Sequence, residues 1–170
     1  KAADINLVVH IYPAWSKASY SSALLTELAK LHWVTTFKVG TREMSKYDQD
    51  LRAIKDTGEN VSILTCHDEY LLTSMVQGVD GALVGFASFI PELITALYAA
   101  VCDGNLKEAQ RIQSQINILK EVVYASSEPT GDAHARMKTA MHHAGRFKST
   151  TVRPPTRKPS GEALQRIKDA

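Results

Sequence analysis

One lysine stands near the end of Val34-Thr35-Thr36-Phe37-Lys38-Val39-Gly40, a run of β-branched and aromatic residues that stops at a glycine. Such a run makes a buried strand, where an ammonium group is costly. The plain resolution is that Lys38 snorkels out at the strand end. The chemical one is that desolvation disfavours the charged form of a lysine, and the free amine then attacks a carbonyl to give a Schiff base. The residues around other strand ends bear on the choice. His10 and Tyr12 share one face of an earlier apolar run, Thr65 ends a later one, Asp68 and Glu69 follow it, and Gly85 closes a fourth. An amine, an imidazole, a phenol and two carboxylates around one mouth form a set suited to acid–base work on a carbonyl substrate.

The elements that must bring these groups together are legible from periodicity. Ile5 to Tyr12 is a strand ended by Pro13. Ser21 or Ser22 caps a helix with the stripe Leu24, Leu25, Leu28 and Leu31, which leads into the Lys38 strand. Met44 to Thr57 is a second helix, with Met44, Tyr47, Leu51 and Ile54 on one face and Gly58 closing it. Asn60 to Cys66 is a third strand, His67 to Gln77 a short helix, and Ala82 to Phe86 a fourth strand after the Gly78-Val79-Asp80-Gly81 turn. Phe89 to Val101 is an apolar helix with Pro91 in its first turn. Four βα units in succession imply a parallel sheet, either doubly wound or half of a (β/α)8 barrel. In both, ligands bind at the C-terminal ends of the strands.

From Asn105 the strands stop. Helices are predicted over Asn105 to Ser126, Asp132 to Ala144 and Ser160 to Asp169, the last after a basic, proline-rich link from Val152 to Pro159. The link lacks interleaved aromatics, so it is a solvated connector rather than a nucleic-acid arm. This divides the chain into a βα array over residues 1–104 and a three-helix appendage over 105–170.

Composition narrows the class. The 170 residues are 44% hydrophobic and 22% charged with a formal net charge of +2, as in an ordinary globular protein that is no general polyanion binder. Cys66 and Cys102 fit a reducing compartment, and the cytoplasm is the expected location. There is no apolar run of membrane-spanning length and no leader pattern at the start, so no membrane partner is expected. Cys66-His67 has ligand types without a second pair at zinc spacing, and adjacent His142 and His143 on a helix diverge, so no metal is expected. The glycines from Gly78 to Gly85 match neither dinucleotide nor phosphate-loop patterns, and no cofactor is expected.

The order and spacing of several segments resemble the C-terminal part of the Schiff-base aldolase family that includes dihydrodipicolinate synthase and N-acetylneuraminate lyase. The residues that carry the resemblance are Pro13 with Leu28-Ala29-Lys30, Phe37-Lys38 before Gly40-Thr41, Asp68-Glu69, Gly78-Val79-Asp80-Gly81, Gly104-Asn105 before Glu108-Ala109, and Arg153-Pro154-Pro155. The resemblance implies a (β/α)8 TIM barrel whose strands 5 to 8 are present here, followed by three extra helices and assembled as a homotetramer. A barrel of this kind needs about 250 residues, so four further βα units and the family's glycine-threonine-threonine carboxylate cradle are expected ahead of this stretch.

The resemblance also assigns roles. Lys38 falls on the lysine that forms a Schiff base with pyruvate or another 2-keto acid. His10 stands where the family has a strand-five tyrosine, Ile11 replaces the asparagine after it, and Tyr12 lies one strand period further on the same face. Trp15 occupies the position of the synthase arginine that holds an aldehyde substrate's carboxylate, while Pro13-Ala14-Trp15-Ser16 and His67-Asp68-Glu69 resemble the lyase branch. The expected activity is therefore a lyase, aldolase or dehydratase, acting through Lys38 on a pyruvate-related or sugar-derived keto acid. His10 or Tyr12 would move the proton, and Thr65, Asp68, Glu69 and Gly85 would contact substrate. The missing Tyr-Asn pair raises one alternative, a keto-acid-binding or regulatory member of the family without turnover.

Overall fold

The computed structural model describes residues 5–17, 19–125 and 131–170, and its backbone separates into two compact units, Lys1–Val84 and Gly85–Ala170. The predicted end of the long helix at Ser126 lies outside the described residues.

The first unit is a parallel sheet in the order β1-β2-β3-β4, with β1 at Leu7–Ile11, β2 at Val34–Val39, β3 at Ser62–Thr65 and β4 at Gly81–Ala82. Its connections carry the helices α1 (Pro13–Ser16), α2 (Ser22–Ala29), α3 (Met44–Lys55) and α4 (Leu71–Val76). Parallel strands need crossovers of this length, and the helices cover the apolar sheet face. Ile11, Phe37, Val39 and Ile63 are buried there, against a core that includes Leu25, Tyr47, Leu51, Ile54 and Leu71.

The helix starts follow from side-chain capping. Ser21 Oγ accepts the Leu24 amide at 3.2 Å, choosing between the two candidate serines. At α3 the cap is Glu43, whose carboxylate accepts the Ser45 and Lys46 amides at 2.9 and 2.7 Å. These bonds hold the Glu43 carboxyl below the usual carboxylate range. Of the expected α3 stripe, Tyr47, Leu51 and Ile54 are buried and Met44 is half-buried. Asp50 is buried on the same helix, where it accepts Thr41 Oγ1 at 2.9 Å and pairs with Lys46. That bond ties the β2–α3 loop to the first turns of α3.

The fourth strand is shorter than predicted. It pairs only at Gly81–Ala82, and Gly85–Ser88 is a 3-10 turn instead of a strand end. The cause lies in its neighbour: β3 ends at Thr65, and after the Leu83 amide reaches the Thr65 carbonyl at 3.0 Å the ladder has no further partner.

The second unit consists of α5 (Pro91–Cys102), α6 (Leu106–Val123), α7 (Gly131–His143) and α8 (Gly161–Asp169). Pro91 opens α5 at a position where its missing N–H costs nothing, and Asn105 Oδ1 caps α6 through the Glu108 amide at 3.2 Å. Ile94 and Leu97 on α5 and Ala109, Ile112 and Ile116 on α6 are buried, and Phe86 and Tyr124 pack their rings at 5.1 Å.

The Thr41–Asp50 tie makes a stability prediction. Asp50→Ala leaves a buried hydroxyl and a third-exposed ammonium without their acceptor, and should cost about 2 kcal/mol. Urea unfolding of the variant beside the unchanged protein measures it, and an unmoved midpoint would mean that the loop is held by other contacts.

Candidate functional site

Strand register builds the site. His10 on β1 stands opposite Lys38 on β2, which stands opposite Leu64 on β3. Side chains alternate along a strand, so these three share the sheet face opposite to buried Ile11, Val39 and Thr65. The ladder continues for one step beyond the strands, through Gly40 N–H to the Ile11 carbonyl at 2.7 Å and Cys66 N–H to the Val39 carbonyl at 2.8 Å. A second row, Tyr12, Gly40 and Cys66, therefore follows the first on the same face.

Gly40 is buried, and its lack of a side chain makes this second row possible. A Cβ there would lie 3.0 Å from Tyr12 Cδ2, 3.2 Å from Cys66 Cβ and 3.2 Å from the Ile11 carbonyl oxygen. Tyr12 and Cys66 close over the space instead and flank the row that carries Lys38.

Lys38 is half-buried. Beside it the His10 imidazole stacks on Tyr12 at 5.5 Å with 28° between the ring planes, and Cys66 Sγ lies 3.7 Å from His10 Nε2. Cys66 lies on the same face in the row after Lys38, and its thiol senses the Lys38 charge. Burial first, and then the Lys38 charge, push the His10 imidazole below its ordinary value, so its neutral form is favoured. Burial pushes the Cys66 thiol up, against an opposing pull from Lys38.

A residue that sequence reasoning passed over ties the rim together. Arg42 follows Thr41 in the β2–α3 loop, and its guanidinium donates to the Tyr12 hydroxyl at 3.1 Å through Nη2 and pairs with Glu69 through Nη1. Its carbon lies 5.8 Å from the Tyr12 ring centre. Burial works against the charge, but the bonds to Tyr12 and Glu69 outweigh it and hold Arg42 protonated. Glu69 is thus engaged at one oxygen, while its Oε2 is buried without a hydrogen-bond partner.

The structure thus gathers Lys38, His10 and Tyr12 on one face, with Glu69 joined to them through Arg42. Asp68 is buried in the same β3–α4 loop. Thr65 is not gathered with them. It lies on the helix-covered face, fully buried, and its hydroxyl donates to Ser74 Oγ at 3.1 Å. Gly85 opens the 3-10 turn at the start of the second unit and is exposed. Trp15, on α1, is 56% exposed. His67 is buried with its ring 4.9 Å from that of Tyr47, and burial lowers its basicity. Among the described residues no three His, Cys, Asp or Glu side chains converge as a metal site, and no helix is long and apolar enough to cross a membrane.

The sequence pattern of the Dihydrodipicolinate synthetase family matches residues 1–170. The chain belongs to that family. It is 25% identical over 170 residues to the N-acetylneuraminate lyase of Mediterraneibacter gnavus, covering 99% of this chain and 52% of the lyase. It is 26% identical over 142 residues to the 4-hydroxy-tetrahydrodipicolinate synthase of Chlorobium luteolum, covering 83% and 47%. Among solved structures, a prophage protein of the dihydrodipicolinic acid synthase family from Escherichia coli, in complex with pyruvate, superposes with a TM-score of 0.85 at 20% identity, over 98% of this chain and 55% of that one. The chain spans about half the length of the curated relatives it matches. The fold is accordingly a part of a TIM-barrel-like α/β architecture.

Within this family site two measurements follow from the geometry. NMR titration of the His10 imidazole should give a midpoint below 6.5, the value usual for a free histidine, and Lys38→Met should move it upward by removing the neighbouring charge. A midpoint unmoved by that substitution would mean that the two groups do not sense each other. Gly40→Ala should destabilise by about 2 kcal/mol in chemical unfolding, as expected of a methyl group forced against a ring and two backbone-anchored atoms. Stability equal to that of the unchanged protein would show that Tyr12 and Cys66 retreat freely.

Proposed function

We propose that this chain supplies the Schiff-base half of a lyase acting on a 2-keto acid, by retro-aldol cleavage or dehydration, with Lys38 as the nucleophile. The observation that carries the proposal is the placement of Lys38 on the open face of β2, in register with His10 and beside Tyr12, in a chain of this family. In this reading the four strands are the fifth to eighth of a (β/α)8 barrel, and the whole protein is a cytoplasmic homotetramer.

The chemistry follows from the groups present. The Lys38 amine adds to the C2 carbonyl, water leaves, and the resulting iminium accepts the electron pair released when the bond between C3 and C4 breaks or when a proton leaves C3. His10, favoured in its neutral form, takes the C4 hydroxyl proton in cleavage or the C3 proton in dehydration, returning the latter as the C4 hydroxyl leaves as water. Tyr12 stands next to it with a hydroxyl positioned by Arg42. Glu69, oriented by Arg42, has one carboxylate oxygen still unbonded, which suits a substrate hydroxyl. That acceptor favours a hydroxylated, sugar-derived keto acid over a plain one, as does the exposed indole of Trp15 at the position of the synthase arginine. Thr65 and Gly85 drop out of this reading as substrate contacts, because the Thr65 hydroxyl is used by Ser74 and Gly85 does not end a strand.

Borohydride reduction tests the proposal. The full-length protein treated with pyruvate and borohydride should gain the mass of a reduced pyruvyl adduct on the peptide containing Lys38, and Lys38→Ala should abolish it. A folded sample that shows no adduct with pyruvate or with a panel of hydroxylated 2-keto acids would overturn the mechanism.

A further inference from the structure

The site contains a chemical group that the Schiff-base reading does not use. Cys66 follows β3 on the same face as Lys38, with its sulfur 3.7 Å from His10 Nε2, and His10 stands opposite Lys38 in the strand register. It is half-buried, and Gly40 leaves the space in which its side chain turns toward this row. Its surroundings also include the charged groups of Asp68 and Arg42. The thiol thus sits beside a neutral imidazole, on the face that carries the amine which must lose a proton.

We propose that Cys66 is a catalytic residue that relays protons between Lys38 Nζ and His10 Nε2 during formation of the Schiff base. The proposal rests on the Schiff-base reading above. When the Lys38 amine adds to the keto carbon, a nitrogen–carbon bond forms and the carbonyl π pair moves to oxygen, leaving a cationic nitrogen and an alkoxide. The nitrogen proton passes to Cys66 sulfur while the S–H proton passes to His10 Nε2, so the thiol is regenerated and the imidazole becomes imidazolium. That imidazolium protonates the alkoxide, giving the neutral carbinolamine. Loss of the hydroxyl as water, with one proton taken from solvent, leaves the protonated imine. Amine, ketone and one proton have then become iminium and water, with no oxidant or metal required.

The resting state suits this role. A thiol held above its ordinary range is present as S–H and an imidazole held below its ordinary range is present unprotonated, which are the states from which the exchange starts. When Nε2 is the unprotonated nitrogen, the Cys66 S–H points its proton at a vacant lone pair. A bulk water could make the same transfer more slowly, so removal of the thiol should slow imine formation without changing how much imine forms at equilibrium.

The test measures the rate of trapping rather than its extent. Full-length protein is mixed with pyruvate, quenched with borohydride at timed intervals, and the adduct on the Lys38 peptide is quantified by mass. Cys66→Ala should slow adduct formation by about a hundredfold, within the range of a lost acid–base group, and flatten its pH dependence. Cys66→Ser, which restores a hydroxyl donor and acceptor, should recover part of the rate. Reversible methylthiolation of Cys66 in the unchanged protein should slow trapping in the same way, with recovery on reduction, and does not depend on a variant folding. The other thiol, Cys102, is exposed and serves as the internal control for labelling. Trapping at the unchanged rate in Cys66→Ala, or after blocking of the thiol, would overturn the relay while leaving the Schiff base intact. Absence of any adduct in the unchanged protein would instead overturn the Schiff base itself, and the relay with it.

Discussion

Parallel pairing of β1, β2 and β3 sets His10, Lys38 and Leu64 abreast, and every property of the site depends on that register. A slip of one residue in β2 would turn Lys38 into the helix-covered face and bring Phe37 or Val39 out, exchanging a solvated amine for an exposed apolar row. Burial prevents this, because Phe37 and Val39 lie in the core with Leu25 and Ile54 while Lys38 faces the open side. The cost of hiding an ammonium and the gain of hiding two apolar side chains act in the same direction. The hydrophobic core thereby fixes the direction in which the Lys38 amine points.

The second row converts that direction into an environment. With no Cβ at Gly40, Tyr12 and Cys66 approach across a gap that any other residue would fill. Tyr12 is then held from the far side by Arg42, which in turn holds Glu69. The inner groups, His10 and Cys66, are uncharged by preference, whereas the outer groups form an ion pair. Such a division keeps fixed charges away from the amine and surrounds it with groups that are neutral at rest.

Much of this was legible in the residues because burial and polarity conflict at a few positions. Lys38 stood out as a charge in an apolar strand, and the period of two placed His10 and Tyr12 together. Arg42 was not legible, since its partners lie 30 residues before it and 27 after it, and nothing local marks a cation beside a helix start as more than solvated. Cys66 reads from the sequence only as a metal-ligand type, for which its spacing is wrong. Thr65 and Cys66 are adjacent polar residues at one strand end, and only the register decides that the thiol shares the Lys38 face while the hydroxyl points to Ser74. The length of β4 is not legible for a related reason: an apolar run makes a strand only as far as its neighbour offers carbonyls and amides, and β3 stops at Thr65.

The state of Glu69 connects the rim to the substrate proposed for it. A buried carboxylate oxygen without a donor is unfavourable, by about 1 to 3 kcal/mol for a typical polar group and more for a charged one. Arg42 satisfies Oε1 and leaves Oε2 unbonded. On the proposed reading, a plain aliphatic keto acid would leave that penalty in place and a ligand whose hydroxyl reached this oxygen would remove it, so that discrimination would come as much from the unsatisfied acceptor as from the new bond. Arg42 maintains this state, because by holding one oxygen it keeps the carboxylate from turning away to find a partner of its own.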